Sequence, residues 1–331
     1  MKKRTLEKYF VAVCQMDSQN DKYRNLEDAK RMLCEAVEKG ADIVVFPENM
    51  NFMGKGYRYQ AEPIPGPTTD FLSALAKEHD IWILSGSIPE IEQNDPAEQE
   101  PTSADKDAGE QKPESAEKNA GLQKPVSADM DAGKPKPKNS LVLIDPAGEI
   151  RCKYSKLHLF DVDLKDGNSF RESHSVTPGE DIVLCDTELG RLGFTICYDL
   201  RFGELYRLLS LSGAQVIFVP ACFAMQTGRA HWEVLLRARA IENGVYIVAC
   251  NQIGEKYNMT AYGHSMVIDP WGKVIARAED KPCVLMAEID LERIDEVRSQ
   301  IPSLLNRRAD LYELREMKGS CQGRIGFRES E

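Results

Sequence analysis

The chain has 331 residues, 42% of them hydrophobic, which is enough to build a sizeable buried core in one large α/β domain or two small ones. The formal net charge is −11, from 42 basic and 53 acidic residues. Because no basic stripe or aromatic–basic interleaving runs along the chain, we expect no nucleic-acid partner. No apolar run approaches membrane-spanning length, so we also expect no membrane partner.

The cysteines and histidines indicate the redox state and argue against a metal site. Nine cysteines occur singly along the chain, mostly inside apolar strand-like runs. This odd and scattered set predicts reduced thiols and a cytoplasmic location. No CxxC pair is present and the five histidines are isolated, so the sequence predicts no metal site.

Strand-like and helix-like patterns alternate along the chain, and continuous apolar strands between amphipathic helices predict sheets covered by helices. The predicted strands lie at residues 9–16, 43–46, 81–88, 192–196, 216–219 and 246–252. The predicted helices lie at residues 25–38, 70–79, 204–211 and 232–242. A hairpin is predicted at residues 140–154, and a second one turns at residues 269–272.

One segment, residues 92–138, departs from this alternation. It has almost no aromatic or β-branched residues, and a unit of twelve residues recurs in it from Ser103, Ser115 and Ser127. Each unit carries too little apolar surface to offset the cost of ordering its backbone, about 1–2 kcal/mol per residue. The composition therefore predicts a disordered loop inserted into a folded domain.

Two ionisable residues directly follow predicted strands, where α/β proteins usually build their sites. Glu48 comes after an apolar run that ends at Pro47, so its carboxylate could be desolvated and act as a general base. Lys156 closes a predicted strand and could hold a developing oxyanion. Taken alone, each also fits an ordinary solvated side chain.

Cys197 lies where a predicted strand runs into a helix. A thiol at such a turn has backbone N–H groups and the positive end of a helix nearby, which stabilise a thiolate and an oxyanion. The alternative is a buried cysteine that only packs in the core.

Together and in this order, the three residues lie in segments that resemble the nitrilase superfamily of carbon–nitrogen hydrolases. The matching sequence motifs are Phe-Pro-Glu ending at Glu48, Lys-Leu-His-Leu-Phe-Asp starting at Lys156, and Ile-Cys-Tyr-Asp-Leu-Arg-Phe around Cys197. The resemblance spans residues 11–91 and 139–312. It implies a general base at Glu48, an oxyanion-binding lysine at Lys156 and a nucleophile at Cys197.

Within the superfamily, the chain is most similar to the ω-amidase branch. Residues 170–173, before Pro178-Gly179, resemble the segment that carries a second glutamate, which makes Glu172 the fourth catalytic residue. Phe223, Thr227 and Trp232 resemble residues of the substrate pocket. The branch usually has Phe-Asn and later Gly-Pro in this loop, where the chain has Ala224 and Arg229. These changes could alter which acyl group fits, or Arg229 could simply face solvent.

The resemblance implies hydrolysis of a small aliphatic amide, such as an ω-amide of a dicarboxylic or keto acid, through a thioester on Cys197. The backbone N–H of Tyr198 would assist Lys156 at the oxyanion, and no metal or organic cofactor takes part. Alternatives with the same residues are a nitrilase, a carbamoyl-amine hydrolase and an acyltransferase. A non-catalytic scaffold and a Cys–His hydrolase that pairs Cys197 with His158 or His231 are further alternatives.

The implied fold is a four-layer αββα sandwich, an α/β architecture in a single domain spanning residues 1–331. Its core covers about residues 9–91 and 139–313, and residues 314–331 form a polar tail. The resemblance also implies a homodimer joined through the helical face near residues 204–211.

Overall fold

The computed structural model describes residues 6–92, 135–163 and 169–317. The α-helices in these ranges are α1 (Lys22–Glu38), α2 (Pro67–His79), α3 (Gly203–Leu211), α4 (Met225–Asn243) and α5 (Glu292–Gln300). The strands of the first half are β1 (Lys8–Gln15), β2 (Ile43–Val45), β3 (Trp82–Glu90), β4 (Lys138–Ile144), β5 (Ile150–Ser155), β6 (Asp161–Asp163) and β7 (Ser169–Arg171). The remaining strands are β8 (Leu184–Thr187), β9 (Gly190–Phe194), β10 (Val216–Ala221), β11 (Tyr246–Asn251), β12 (Ile253–Glu255), β13 (Thr260–Tyr262), β14 (Met266–Ile268), β15 (Val274–Arg277) and β16 (Cys283–Asp290).

Two six-stranded sheets form the centre of the molecule. The first has the strand order β16-β1-β2-β3-β4-β5, and the second has the order β15-β14-β11-β10-β9-β8. In each sheet three neighbouring strands run parallel, β1, β2 and β3 in the first and β9, β10 and β11 in the second. The carboxyl ends of parallel strands meet at one edge of a sheet, which is where such folds usually build a site.

Helices cover the outer face of each sheet. One apolar cluster joins α1 and α2 to the first sheet, through residues such as Leu33, Leu72 and Val44. A second, larger cluster fills the space between the sheets and extends under α3 and α4, through residues such as Phe194 and Leu236. The predicted four-layer αββα sandwich is therefore confirmed.

The predicted strands and helices are present, with different ends. Helix α2 begins at Pro67, whose fixed φ and missing N–H suit the first helical position. Helix α4 begins at Met225, seven residues before the predicted start at residue 232. The prediction began too late because the first turns of this helix carry no regular apolar pattern. Gly228 in those turns packs against Tyr262, where a Cβ would come within 2.4 Å of the ring. Strand β16, which the sequence pattern did not predict, pairs antiparallel with β1 along its whole length.

Strands β3 and β4 are antiparallel neighbours, with Glu90 opposite Lys138. The chain that joins them contains the predicted insert. Of residues 92–138, those from 93 to 134 lie outside the described residues, as does the predicted polar tail from residue 318 onward. Within the described ranges, none of the helices combines the length and the apolar character needed to cross a membrane.

Candidate active site

Four side chains that line one cavity each follow a strand of one of the two facing sheets. Glu48 comes shortly after β2 and Lys156 directly after β5, both in the first sheet. Cys197 follows β9 and Cys222 follows β10 in the second sheet. All four line a single cavity of about 280 Å³, so the fold brings both sheets' strand ends to one place.

Glu48 is held in place by the tight approach of β3. Gly86 has a φ of +66°, and a Cβ at this position would lie 2.1 Å from the carbonyl oxygen of Pro47. Only glycine tolerates both this φ and this proximity. The pairing of β3 with β4 shifts register between Leu84 and Ser87, around this glycine. The carboxylate of Glu48 is 3% exposed and so must be satisfied by protein donors.

Lys156 supplies the central donor of the site. Its Nζ lies 2.9 Å from Oε1 of Glu48 and 2.8 Å from Oε2 of Glu172. Burial opposes the charge on Lys156, but the negative charges of Glu172 and Glu48 outweigh it and raise the lysine pKa well above its usual value. Lys156 is therefore a fixed ammonium in a site where it is only 2% exposed.

Glu172 begins the short 3-10 helix Glu172–His174 and reaches the site from a different segment than Glu48. Its Oε2 accepts from the backbone N–H of Phe160 at 2.6 Å as well as from Lys156. Glu172 is thus a partly buried member of the site and not the exposed loop carboxylate that its sequence context alone would suggest. Two glutamates flank one lysine, whose single positive charge can offset only one of the two carboxylate charges.

Asn139 is a site residue that the sequence analysis missed. Its Nδ2 donates to Oε1 of Glu48 at 2.9 Å and lies 3.5 Å from Oε1 of Glu172. Its backbone carbonyl accepts from the N–H of Lys156 at 2.9 Å. An asparagine at the start of a strand carries no local signal for such a role, and only the position of β4 beside β5 reveals it.

Cys197 occupies a strained turn between β9 and the 3-10 helix Cys197–Arg201. Its φ is +47°, in the left-handed region that costs a residue with a Cβ about 1–2 kcal/mol. The buried carboxylate of Asp199 stabilises the turn, because it accepts from the N–H of Ile196 at 2.8 Å and from the hydroxyl of Tyr154 at 2.7 Å. Strain of this kind, supported by its surroundings, is typical of functional positions.

The surroundings of Cys197 favour the protonated form of its thiol. Burial and the negative charge of Glu48 raise the pKa of Cys197 well above its usual value, while Lys156 opposes the increase. Such a thiol needs a neighbouring base to accept its proton before the sulfur can act as a nucleophile. Glu48 is suited to this task, since its Oε2 is already oriented by the N–H of Cys222 at 2.8 Å.

The residues predicted for the substrate pocket do not all line the cavity. Phe223 and Thr227 line the cavity, and so does Tyr198. Trp232 does not, which corrects the prediction: its side chain is fully buried behind Phe223, with ring centres 5.0 Å apart, and its indole N–H donates to the carbonyl of His264. On α4 Trp232 falls on the face turned toward the core. Arg229 is exposed and lies outside the cavity lining.

Neither histidine proposed as an alternative base lies in the cavity lining. His158 places Nδ1 2.7 Å from Oδ1 of Asp199 and stacks on Phe202. His231 is exposed, with Nδ1 3.3 Å from Arg201. The geometry therefore favours Glu48 over a histidine as the base. Over the part of the chain that the structure describes, no group of three or more His, Cys, Asp or Glu side chains could hold a metal ion.

Two facing sheets that bring a glutamate, a buried lysine and a strained cysteine into one cavity define an αββα-sandwich protein equipped for acyl chemistry. The chain belongs to the carbon–nitrogen hydrolase family, whose profile matches residues 10–102 and 121–299. The gap in this match falls inside the repeat segment.

Individual relatives agree with this family. The chain is 38% identical to a deaminated glutathione amidase from Synechocystis sp. over 307 residues, which cover 91% of this chain and 99% of that protein. It is 36% identical to omega-amidase NIT2 from Xenopus tropicalis over 300 residues, 90% of this chain and 94% of the relative.

Solved structures show the same fold. The NitFhit protein of C. elegans superposes with a TM-score of 0.77 at 36% identity, covering 94% of this chain and 67% of that one. Nit3 of Saccharomyces cerevisiae, a member of branch 10 of the nitrilase superfamily, superposes with a TM-score of 0.72 at 29% identity, covering 92% of this chain and 97% of the other.

Proposed function

We propose that this protein is an amidase for small ω-amides, substrates that carry a carboxylate at the end of the acyl chain away from the scissile amide. The observation that carries the proposal is the guanidinium of Arg201 in the wall of the cavity. The amidases and ω-amidases among its relatives support the reaction class.

Arg201 is positioned to bind an anion. Its guanidinium carbon lies 5.2 Å from the ring centre of Phe223 and 5.8 Å from that of Tyr198, and both rings line the cavity. Among the described residues, no carboxylate lies within ion-pair distance of it. A guanidinium held over aromatic rings and free of a protein carboxylate is well suited to a substrate carboxylate.

The reaction would begin with proton transfer from the Cys197 thiol to Glu48. The sulfur then attacks the amide carbon, and Lys156 together with the backbone N–H of Tyr198 stabilises the oxyanion. Glu48 returns the proton to the nitrogen, the C–N bond breaks and ammonia leaves, so that a thioester remains on Cys197.

Hydrolysis of the thioester would use the same groups. Glu48 takes a proton from water, the resulting hydroxide attacks the thioester carbon, and the carboxylic acid product leaves as Cys197 recovers its proton from Glu48. Glu172 acts as a positioning residue in both steps, because it accepts two hydrogen bonds from Lys156. Every proton is transferred between substrate, water and these side chains.

The proposal is tested by measuring ammonia release from ω-amides of dicarboxylic and keto acids, neutral aliphatic amides, nitriles and carbamoyl amines. We expect the ω-amides to give the highest kcat/KM. In Arg201→Met, the KM for an ω-amide should rise roughly 10- to 100-fold, because the substrate carboxylate loses its charge-assisted hydrogen bonds to the guanidinium. The KM for a neutral amide should change little. Arg229→Met, at the exposed position, is the matched control. Equal KM increases for charged and neutral amides would reject the role of Arg201.

We also propose a homodimer formed through α3 and α4, and a cytoplasmic location. Three apolar side chains on these helices are exposed, Leu211 by 39%, Val234 by 67% and Ile241 by 53%. Burying such a surface against a second copy is favourable. The location is supported by the free state of the eight described cysteines. Light scattering should give a dimer mass that Val234→Asp reduces to that of a monomer; a monomeric wild type would reject the interface.

A further inference from the structure

Two thiols that the proposed reaction does not use face each other across the core. Cys152 lies on β5 and Cys185 on β8, which are the edge strands of the first and second sheet. Both side chains belong to the apolar cluster between the sheets, and they are 8% and 6% exposed. Neither lines the amide-binding cavity.

The two edge strands are closer together than packed sheets usually are. Stacked sheets lie about 10 Å apart, whereas β5 and β8 approach within 8 Å between Cα atoms. Cysteines joined by a disulfide have Cα atoms about 4.4–6.8 Å apart. Both thiols are free, and their side chains are close enough to shift each other's pKa. The Cα separation between these two edge strands is therefore near the range that a disulfide spans.

The two thiols differ in acidity. Interaction with the side chain of Cys185, reinforced by burial, raises the pKa of Cys152 well above its usual value. The same interaction lowers the pKa of Cys185, and the positive charge of Arg151 adds to this against the effect of burial. Cys185 is thus the better nucleophile of the pair, with Cys152 as its proton-bearing partner.

We propose that Cys152 and Cys185 are a redox modification site that forms a disulfide between the two sheets when the protein meets a small-molecule disulfide such as oxidised glutathione. The sulfur of Cys185 attacks one glutathione sulfur, and the S–S bond of glutathione breaks to release one reduced glutathione. Cys152 then loses its proton and attacks the mixed disulfide, which releases the second. Two thiols are oxidised and one glutathione disulfide is reduced to two thiols.

The position of the cross-link gives it a structural consequence. The chain between the two cysteines, residues 153–184, carries both Lys156 and Glu172. A disulfide would close this segment into a loop and would also fasten the edges of both sheets. Closing a loop of this length restricts the unfolded chain and so stabilises the folded protein. Formation of the disulfide depends only on the fold, so it can be tested separately from the proposed amide hydrolysis.

The test incubates the full-length protein with oxidised glutathione, blocks the remaining thiols and maps the peptides without reduction. We expect a linked pair of peptides containing Cys152 and Cys185, and a melting temperature that rises by at least about 3 °C and returns on reduction. Failure to find the linked pair, or accumulation of glutathione on Cys185 without release, would overturn the proposal. Peptide mapping of the wild type does not depend on any variant folding.

Variants then assign the stabilisation to this pair. Cys152→Ser and Cys185→Ser should each abolish both the linked peptides and the increase in melting temperature. Cys34→Ser is the matched control, since this half-buried thiol lies on α1 beside His79 at 3.9 Å and should leave both unchanged. If the increase persisted in either strand variant, another pair of cysteines would be responsible and the assignment would be wrong.

Discussion

The side-chain amide of Asn139 donates to Oε1 of Glu48 at 2.9 Å. The same residue accepts a hydrogen bond from the backbone of Lys156 and is itself only 1% exposed. Asn139 therefore sets the position of the proposed base relative to the lysine that would hold the oxyanion. The two groups come from strands that do not neighbour each other in the sheet, so a residue that contacts both determines their spacing.

Removing the Asn139 donor should slow turnover without unfolding the protein. In Asn139→Ala we expect kcat to fall roughly 10- to 100-fold with little change in KM, because the lost charge-assisted hydrogen bond orients Glu48 and does not bind substrate. Steady-state kinetics on the best amide, together with circular dichroism, measure this. Ser140→Ala is the matched control, since Ser140 is equally buried but contacts Glu90 and Ser155. An unchanged kcat in Asn139→Ala would show that Asn139 only packs in the core and does not orient Glu48 for the reaction.

The three residues proposed to carry the chemistry should behave differently from other polar core residues. Cys197→Ala should abolish both turnover and the acyl adduct that intact-mass spectrometry detects in quenched wild-type protein. Glu48→Gln and Lys156→Ala should each lower kcat/KM by about 10²–10⁴. Cys283→Ser, at a half-buried thiol on β16, should retain full rate. Turnover by Cys197→Ala would contradict the thioester mechanism.

Buried thiols should make the fold less stable in alkaline solution. Burial, with the negative charge of Glu48, raises the pKa of Cys222 from 9.0 to about 12. The unfolded thiol releases its proton above its ordinary pKa while the folded thiol keeps it, so unfolding becomes more favourable as pH rises through this interval. Between about pH 8 and pH 10 this group should remove about 1.4 kcal/mol of stability.

Denaturant unfolding at several pH values measures that loss. Cys222→Ala should lose about 1.4 kcal/mol less than the wild type over the same range, because it has no thiol to ionise. Identical pH slopes for the two proteins would show that Cys222 ionises equally in both states.

We predict that most of the repeat segment is dispensable. Residues 91, 92 and 135–138 are worth keeping, because Lys136 donates to the carbonyl of Ser173 at 2.7 Å and Glu92 pairs with Lys138 at 2.8 Å. Replacing residues 93–134 with about four glycines and serines shortens a connection between paired strands and should stabilise the protein by at most about 2 kcal/mol.

Melting temperature and amide kinetics of the shortened protein decide this. Both should match the wild type, with kcat/KM within about twofold, since every lining residue that the described part of the chain contributes to the cavity is kept. A tenfold fall in kcat/KM with folding intact would show that the repeat is part of the site.

The sequence by itself determined the positions of most of the long strands and helices, although not that of β16. It pointed to Glu48, Lys156 and Cys197 as candidates through their places after strands and through the resemblance of their segments to a known family. These features are local: apolar periodicity is set by neighbours along the chain, and each of the three residues directly follows an apolar strand. Glu172 was found only through its resemblance to a family segment, because a loop glutamate has no periodic signal of its own.

Tertiary structure alone decided which side chains meet. Glu48 and Lys156 are 108 positions apart in the chain, yet lie 2.9 Å apart because their strands end at the same edge of one sheet. Asn139 contacts Glu48 because β4 lies beside β5 in the same sheet. Trp232 lies outside the cavity because it is on the face of α4 that packs against the core. The direction a side chain takes depends on strand order and helix packing, which arise from contacts between distant parts of the chain.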